Sequence, residues 1–189
     1  MSQRAEPWQT AEIAGPKKAL LILKPDVVVA LVKRAKRPLL VVGHLTAEAE
    51  AEAEAKVKSE YNGLIDSMIR LSRAAKMPVV ATAHTVKAFL QRDFRPEAFM
   101  SAMDIGNRLQ DASWTGLDGL GPPDLAVFLG LPYYMAFVLL SALKHFAPQL
   151  TTVSLDRYYT PHATWAFPNL KVVEWREAVE IILSKFEET

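Results

Sequence analysis

The feature that most constrains this chain is a series of short apolar runs spaced by segments of helical length. The runs fall at 39–43, 78–82, 124–130, 151–156 and 171–174, and helical patterns occupy about 46–75, 97–111, 132–147 and 175–187. Most of these runs do not alternate apolar with polar residues, as expected of strands buried on both faces. Parallel neighbours need a crossover of a dozen or more residues, and helix-length spacers supply it. The pattern predicts a three-layer α/β fold, a mostly parallel sheet flanked by helices on both sides.

The first unit, Arg37-Pro38-Leu39-Leu40-Val41-Val42-Gly43-His44-Leu45, reads as a buried strand ending on a glycine, with a long helix from about Thr46. Nucleotide-binding sheets open in this way. The phosphate-binding GxGxxG pattern is missing, because Gly43 is followed by His44 and Leu45. Glu48, Glu50, Glu52 and Glu54 then crowd the helix entrance. A helix amino terminus attracts phosphate through its free N–H groups, and carboxylates in the first turns oppose that attraction. A conventionally bound pyrophosphate is disfavoured here. The glycine-rich stretch 116–123 leads into a strand rather than a helix and lacks a following Lys-Ser or Lys-Thr, so it reads as a turn and not a P-loop.

Before the first run, Pro25 and Asp26 suit the start of a helix whose stripe is Val27, Val28, Leu31, Val32 and Ala35. The cations Lys33, Arg34, Lys36 and Arg37 cluster at its carboxyl end, where the helix dipole favours them. The helix from Thr46 carries Val57, Tyr61, Leu64, Ile65, Met68, Leu71 and Ser72 on one face. The helix near 132–147 differs, since Tyr133, Tyr134, Met135, Ala136, Phe137, Val138, Leu139 and Leu140 are apolar on every side. Such a helix is either buried in its own domain or covered by another subunit.

A chain of 189 residues supports one core. The reading is an N-terminal arm at 1–24 and a single domain at 25–189. A net charge of +1 gives no electrostatic reason to expect nucleic acid or an anionic membrane. With no cysteine, disulfides, cysteine nucleophiles and thiolate-held zinc or iron–sulfur centres are excluded on this chain alone. The apolar run 19–23 is cut short by Lys24-Pro25-Asp26, and the run 131–143 is too short to span a bilayer. The expected location is the cytoplasm.

His44 and His84 each follow an expected strand, at the carboxyl edge where open α/β sheets bind ligands. With Gly43, Gly130 and Asp156 they define a candidate crevice. Its alternatives are a cofactor site, a loop structure, and a hydrolase centre built from His44, His84 and Asp156. No serine sits in a nucleophile elbow, no catalytic triad emerges, and no metal ligand set is assigned. The connection 156–169 is unusually aromatic, with Tyr158, Tyr159, Trp165 and Phe167 beside Arg157 and His162. Tyr, Trp and Arg together are what interface hot spots favour. With Tyr133 and Tyr134 these residues form the expected docking surface for a partner protein.

The order of elements, together with Pro38-Leu39-Leu40-Val41-Val42-Gly43, Gly130-Leu131-Pro132-Tyr133-Tyr134, Leu140-Ser141-Ala142-Leu143-Lys144 and Leu155-Asp156-Arg157-Tyr158-Tyr159, resembles the epsilon subunit of archaeal acetyl-CoA decarbonylase/synthase over roughly residues 10–185. The resemblance implies a Rossmann-like fold of the DHS-like NAD/FAD-binding type. It implies an accessory, non-catalytic role in an alpha2–epsilon2 carbon monoxide dehydrogenase component that oxidises CO or reduces CO2. The alpha subunit there would hold the nickel–iron–sulfur clusters. The alternative it implies is an FAD-binding module passing electrons from that subunit. In isolation the chain is expected to form a homo-oligomer at most.

Overall fold

Seven strands pair in one all-parallel sheet in the computed structural model, which describes residues 18–47, 60–61, 63–82 and 85–188. In chain order the elements are β1 (Leu20–Leu21), α1 (Asp26–Arg34), β2 (Pro38–Val42), α2 (Leu64–Ala75), β3 (Val79–Thr82), α3 (Thr85–Leu90) and β4 (Ala98–Met100). Then follow α4 (Ala102–Gln110), β5 (Leu125–Leu129), α5 (Tyr133–Phe146), β6 (Thr151–Ser154), β7 (Trp165–Ala166) and α6 (Val172–Glu187). The spatial order is β1-β7-β6-β5-β2-β3-β4. From β2 the chain winds outward through β3 and β4, and from β5 it winds the opposite way through β6 and β7. The switch point therefore lies between β2 and β5, which pair in register from Pro38 with Leu125 to Val42 with Leu129. This is the expected three-layer Rossmann-like architecture.

Alternate residues of the buried strands feed two cores. Leu40, Val42, Val79, Ala81, Val127, Leu129 and Val153 face one side, packed by α1, α2, α3 and α6. Leu39, Val41, Val80, Ala126 and Phe128 face the other, packed by α4 and α5. Ser101 caps α4 by accepting the Asp104 N–H at 3.0 Å, as an N-cap serine does.

Four expectations change. The 171–174 run is not a strand. It is the first turn of α6, whose buried residues Trp175, Ala178, Val179, Ile182, Leu183 and Phe186 keep a helical period while Val173 points to solvent. The Lys171 N–H donates to the Glu174 carboxylate at 3.1 Å and fixes that helix start. The sixth crossover instead ends on β7, a two-residue strand inside the aromatic connection. The expected 97–111 helix begins as an edge strand, β4, and turns helical only at Ala102. The expected single helix 46–75 is broken, because Gly63 takes φ +77 and α2 starts afresh at Leu64. Only glycine adopts that left-handed conformation at no steric cost. The part of that helix at 48–59, with its glutamates, lies outside the described residues.

The described end of the expected arm also belongs to the sheet. Leu20 and Leu21 form β1 on β7, and Ile22 is buried in the larger core. Residues 1–17 lie outside the described residues.

Candidate functional site

At the switch point the chain closes on itself. Gly43 follows β2 and Gly130 follows β5, the latter with φ +77. The Gly43 N–H donates to the Leu129 carbonyl at 2.7 Å, and the Leu45 N–H donates to the Gly130 carbonyl at 3.0 Å. A Cβ at Gly43 would stand 2.1 Å from the Gly130 carbonyl oxygen, so only glycine lets these backbones touch. The buried Thr46 turns its hydroxyl back to the Gly43 carbonyl at 2.7 Å, and its N–H donates to the same oxygen at 3.3 Å. The N–H groups of Leu45 and Thr46, which a phosphate would seek at this helix entrance, thus already have partners inside the protein. His44 is half-buried on this turn.

Asp156 lies beneath the closure at the end of β6. It is 6% exposed, and its carboxylate accepts the Gly130 N–H at 2.9 Å and the Tyr61 hydroxyl. Burial pushes its pKa up to about 7, opposed by those two hydrogen bonds and assisted by the negative charge of Glu60. Burial and the nearby Asp156 carboxylate likewise push the Tyr61 phenol well above its ordinary value. Tyr61 stands edge-on to the buried Trp175 at 5.4 Å, and the Trp175 indole N–H donates to the Leu155 carbonyl at 2.7 Å. Asp156 therefore joins the β5–α5 turn to the chain just before α2. Sequence reading placed Asp156 in the crevice but gave no sign of Tyr61 as its partner. The two residues are 95 apart, and Tyr61 reads simply as one more apolar position on a helix.

The aromatic connection that follows is a pinned structure rather than an open loop. Arg157 donates through Nε to Glu60 at 2.6 Å and through a terminal nitrogen to the Leu170 carbonyl at 3.2 Å, and its guanidinium stacks over the Tyr158 ring at 3.9 Å. Tyr159 donates its hydroxyl to the Ala19 carbonyl at 3.0 Å, and its carbonyl accepts the Tyr133 hydroxyl at 3.3 Å. Tyr158 and Tyr133 keep 40% and 50% of their surface exposed, and Tyr134 keeps 69%.

Other members of the expected docking surface face inward. Phe167 is fully enclosed in the larger core, Trp165 is half-buried in β7, and His162 is buried with its ring edge-on to Phe137 at 4.4 Å. As the chain stands, Phe167 and His162 offer a partner no surface. The physical reason is β7. Its pairing with β6 and β1 turns this half of the connection into the sheet margin, so its apolar residues fill the interior.

The outward surface is instead supplied by α5. Ala136, Leu139, Leu140 and Leu143 of this helix are buried against the sheet and α4. Tyr134 and Val138, one turn apart, point to solvent, as does Phe146 at the far end. The domain buries one side of this all-apolar helix and leaves the other uncovered.

The site residues expected from sequence are thus brought together only in part. Gly43, Gly130 and Asp156 meet through the β5–α5 turn, while His84 lies outside the described residues. Asp156 is committed to an amide and a phenol. Among the described residues, no group of three histidine, cysteine, aspartate or glutamate side chains is placed to hold a metal ion, and no helix is long and apolar enough to cross a membrane.

Known proteins resemble this chain along almost its whole length. It is 36% identical over 180 residues to the acetyl-CoA decarbonylase/synthase complex subunit epsilon of Methanothermobacter thermautotrophicus, covering 95% of both chains. It is 38% identical over 165 residues to the subunit of the same name from Methanothrix soehngenii, covering 87% of this chain and 81% of the relative. With subunit epsilon 1 of Archaeoglobus fulgidus the identity is 37% over 168 residues, covering 88% and 83%. Residues 1–183 match the family described as CO dehydrogenase beta subunit/acetyl-CoA synthase epsilon subunit, and to that family this chain belongs.

Proposed function

We propose that this protein is an accessory subunit of an acetyl-CoA decarbonylase/synthase-type complex. It docks on the metal-bearing alpha subunit in an alpha2–epsilon2 arrangement and stabilises it, with no active site of its own. The observation that carries this reading is the outer side of α5, where Tyr134 and Val138 stand 69% and 56% exposed on a helix whose inner side is already fully packed. Large apolar side chains in a row on a finished domain are what a partner surface requires. The adjoining Tyr133 and Tyr158, held by Tyr159 and Arg157, extend that row with rigid aromatic groups. The names of the relatives, each a subunit of a complex, support the same reading.

The test is co-purification of the Tyr134→Ser/Val138→Ser double variant with the alpha subunit. Both positions are exposed, so the expected result is loss of co-elution with an unchanged melting temperature of the isolated chain. Undiminished co-elution overturns α5 as the docking surface.

A second reading, an FAD-binding module that passes electrons from the metal-bearing subunit, is supported by the switch point between β2 and β5. The residues there do not fit a pyrophosphate bound in the usual way, because the Leu45 and Thr46 amides are engaged and the Gly43 and Gly130 backbones touch. Docking therefore ranks first. Saturable quenching of FAD fluorescence by the complex, at tens of micromolar, would reverse that ranking.

A further inference from the structure

A cavity of about 710 Å³ opens at the amino-terminal edge of the sheet, the end of the strands away from the Gly43–Gly130 closure. It lies where α2 ends and β2 and β3 begin, with the glycine-rich turn 116–123 as its far wall. We propose that this cavity binds a nucleotide-sized organic phosphate, its phosphoryl groups met by Lys36, Arg73 and Lys76 and its apolar body by the cavity floor.

Three observations carry the assignment. The first is size and floor. The volume falls within the roughly 300–1,000 Å³ range of small-molecule sites. The lining includes the buried Leu39 and Met77 and the half-buried Phe94 and Leu117. The second is charge. Lys36, Arg37, Arg73 and Lys76 line the cavity against Glu97 and Asp118, and both carboxylates are committed elsewhere. Asp118 pairs with Arg37 and accepts the Leu120 N–H at 3.0 Å, while Glu97 accepts the Val79 N–H at 2.6 Å. Arg73 holds its guanidinium over the Phe94 ring, 5.7 Å from the centre. A planar donor fork fixed in this way suits the oxygens of a phosphoryl group.

Lys76 is the third observation. A cation in the last turn of a helix, such as Arg73 on α2, is ordinary. Lys76 stands just past that helix with φ +52, the left-handed conformation that glycine takes without cost and lysine does not. A lysine held against that strain on the rim of a cavity marks a position where the side chain is used. The opposite wall is already formed, because Arg37 donates through Nε to the Gly121 carbonyl at 2.9 Å and ties the turn to β2. Preformed walls spare a ligand the cost of ordering them. The proposal is independent of the docking face and of the switch point, since Tyr134, Val138, Gly43 and Gly130 do not line this cavity.

Isothermal titration of the full-length protein with ADP, and with adenosine as its uncharged match, tests the proposal. ADP is expected to bind saturably, more tightly than adenosine, and with an affinity that falls as salt is raised. Lys76→Gly is the decisive variant, because it removes the charge and relieves the left-handed backbone together. Its melting temperature is expected to stay level or rise while ADP weakens roughly tenfold, the usual worth of a charged hydrogen bond. Lys36→Met, which leaves the backbone alone, is expected to weaken ADP several-fold, and neither variant is expected to alter adenosine. Absence of saturable ADP binding up to millimolar concentration overturns the proposal. So does equal affinity for ADP and adenosine, or an ADP affinity unaltered in both variants.

Discussion

The two faces of the sheet are finished differently. Among the described residues, one is covered by four helices, α1, α2, α3 and α6, around a core that holds Trp175, Phe89, Phe167 and Tyr61. Ion pairs tie its outer layer, with Arg70 gripping Glu187 at 2.8 Å through two nitrogens and reaching Glu180, and Lys185 paired with Asp26. Among the described residues the other face has only α4 and α5, which approach so closely that a Cβ on Gly106 would stand 2.2 Å from Leu139 Cδ1. On it Tyr134 and Val138 stand exposed one turn apart, whereas on the first face the exposed Leu90, Val173 and Ile181 are interspersed with charged residues such as Glu177 and Glu180. The contrast teaches where to look for a partner. A face sealed by charged side chains is complete in water, whereas an apolar row beyond a closed core is stabilised only by being covered.

The comparison breaks most easily at the four-helix face. Trp175→Ala removes a fully buried indole together with its hydrogen bond to Leu155 and its edge contact with Tyr61. A loss of about 3–5 kcal/mol is expected, read from urea unfolding of the isolated chain. A cost nearer 1 kcal/mol would show that this face is not the main source of stability.

Asp156 tests the seam between the two faces, because it bonds Gly130 ahead of α5 and Tyr61 ahead of α2. Its pKa rises from 3.8 to about 7 on folding, so the folded state holds the proton more tightly than the unfolded chain. The stabilisation this provides is full below about pH 3.8 and is lost as the pH climbs through about 7. Asp156→Asn cannot ionise. Across that window the variant's stability relative to the parent is expected to improve with rising pH by of the order of 1.4 kcal/mol per unit. Denaturation curves at several pH values check the slope, and parallel profiles for the two proteins would contradict it.

On the two-helix face, Gly106→Ala forces Leu139 to move and is expected to cost about 1–3 kcal/mol, again by urea unfolding. Arg70→Gln removes pairs whose side chains are well exposed, so its effect on the unfolding midpoint is expected to be small and to vanish in high salt. The smallest effect on stability belongs to Tyr134→Ser/Val138→Ser, expected within about 0.5 kcal/mol of the parent. That variant sharpens the contrast, since it is also the one expected to abolish co-elution with the alpha subunit.

Much of the architecture was legible because burial leaves a local record. The runs that became β2, β3 and β5 are almost wholly apolar since both faces of each strand are covered, whereas β6 buries Thr152 and Ser154 beside Val153. What misled was short or conditional structure. Val172 and Val173 favour a strand when read alone, and only the period running on to Phe186 makes them a helix start. The two residues of β7 carry no strand signal, because their stability comes from the β1 and β6 neighbours rather than from their own sequence. Of the candidate site, Gly43, Gly130 and Asp156 were identified from position alone. Their contact with one another and with Tyr61 depends on pairings remote in the chain.

The sequence by itself determined the sheet class, the glycine after β2, the absence of cysteine chemistry and the family. These are properties of local pattern and composition, or of the residues themselves. Only the tertiary structure decided that the Leu45 and Thr46 amides at the nucleotide-type opening bond to the chain's own backbone, and which side of the apolar α5 helix stays in water. It also decided that half of the aromatic connection belongs to the interior. The physical reason is common to all three. Burial and hydrogen-bond partnership are set by which distant segments meet, and in this chain the decisive meetings are Gly43 with Gly130, Gly106 with Leu139 and Trp165 with β1 and β6.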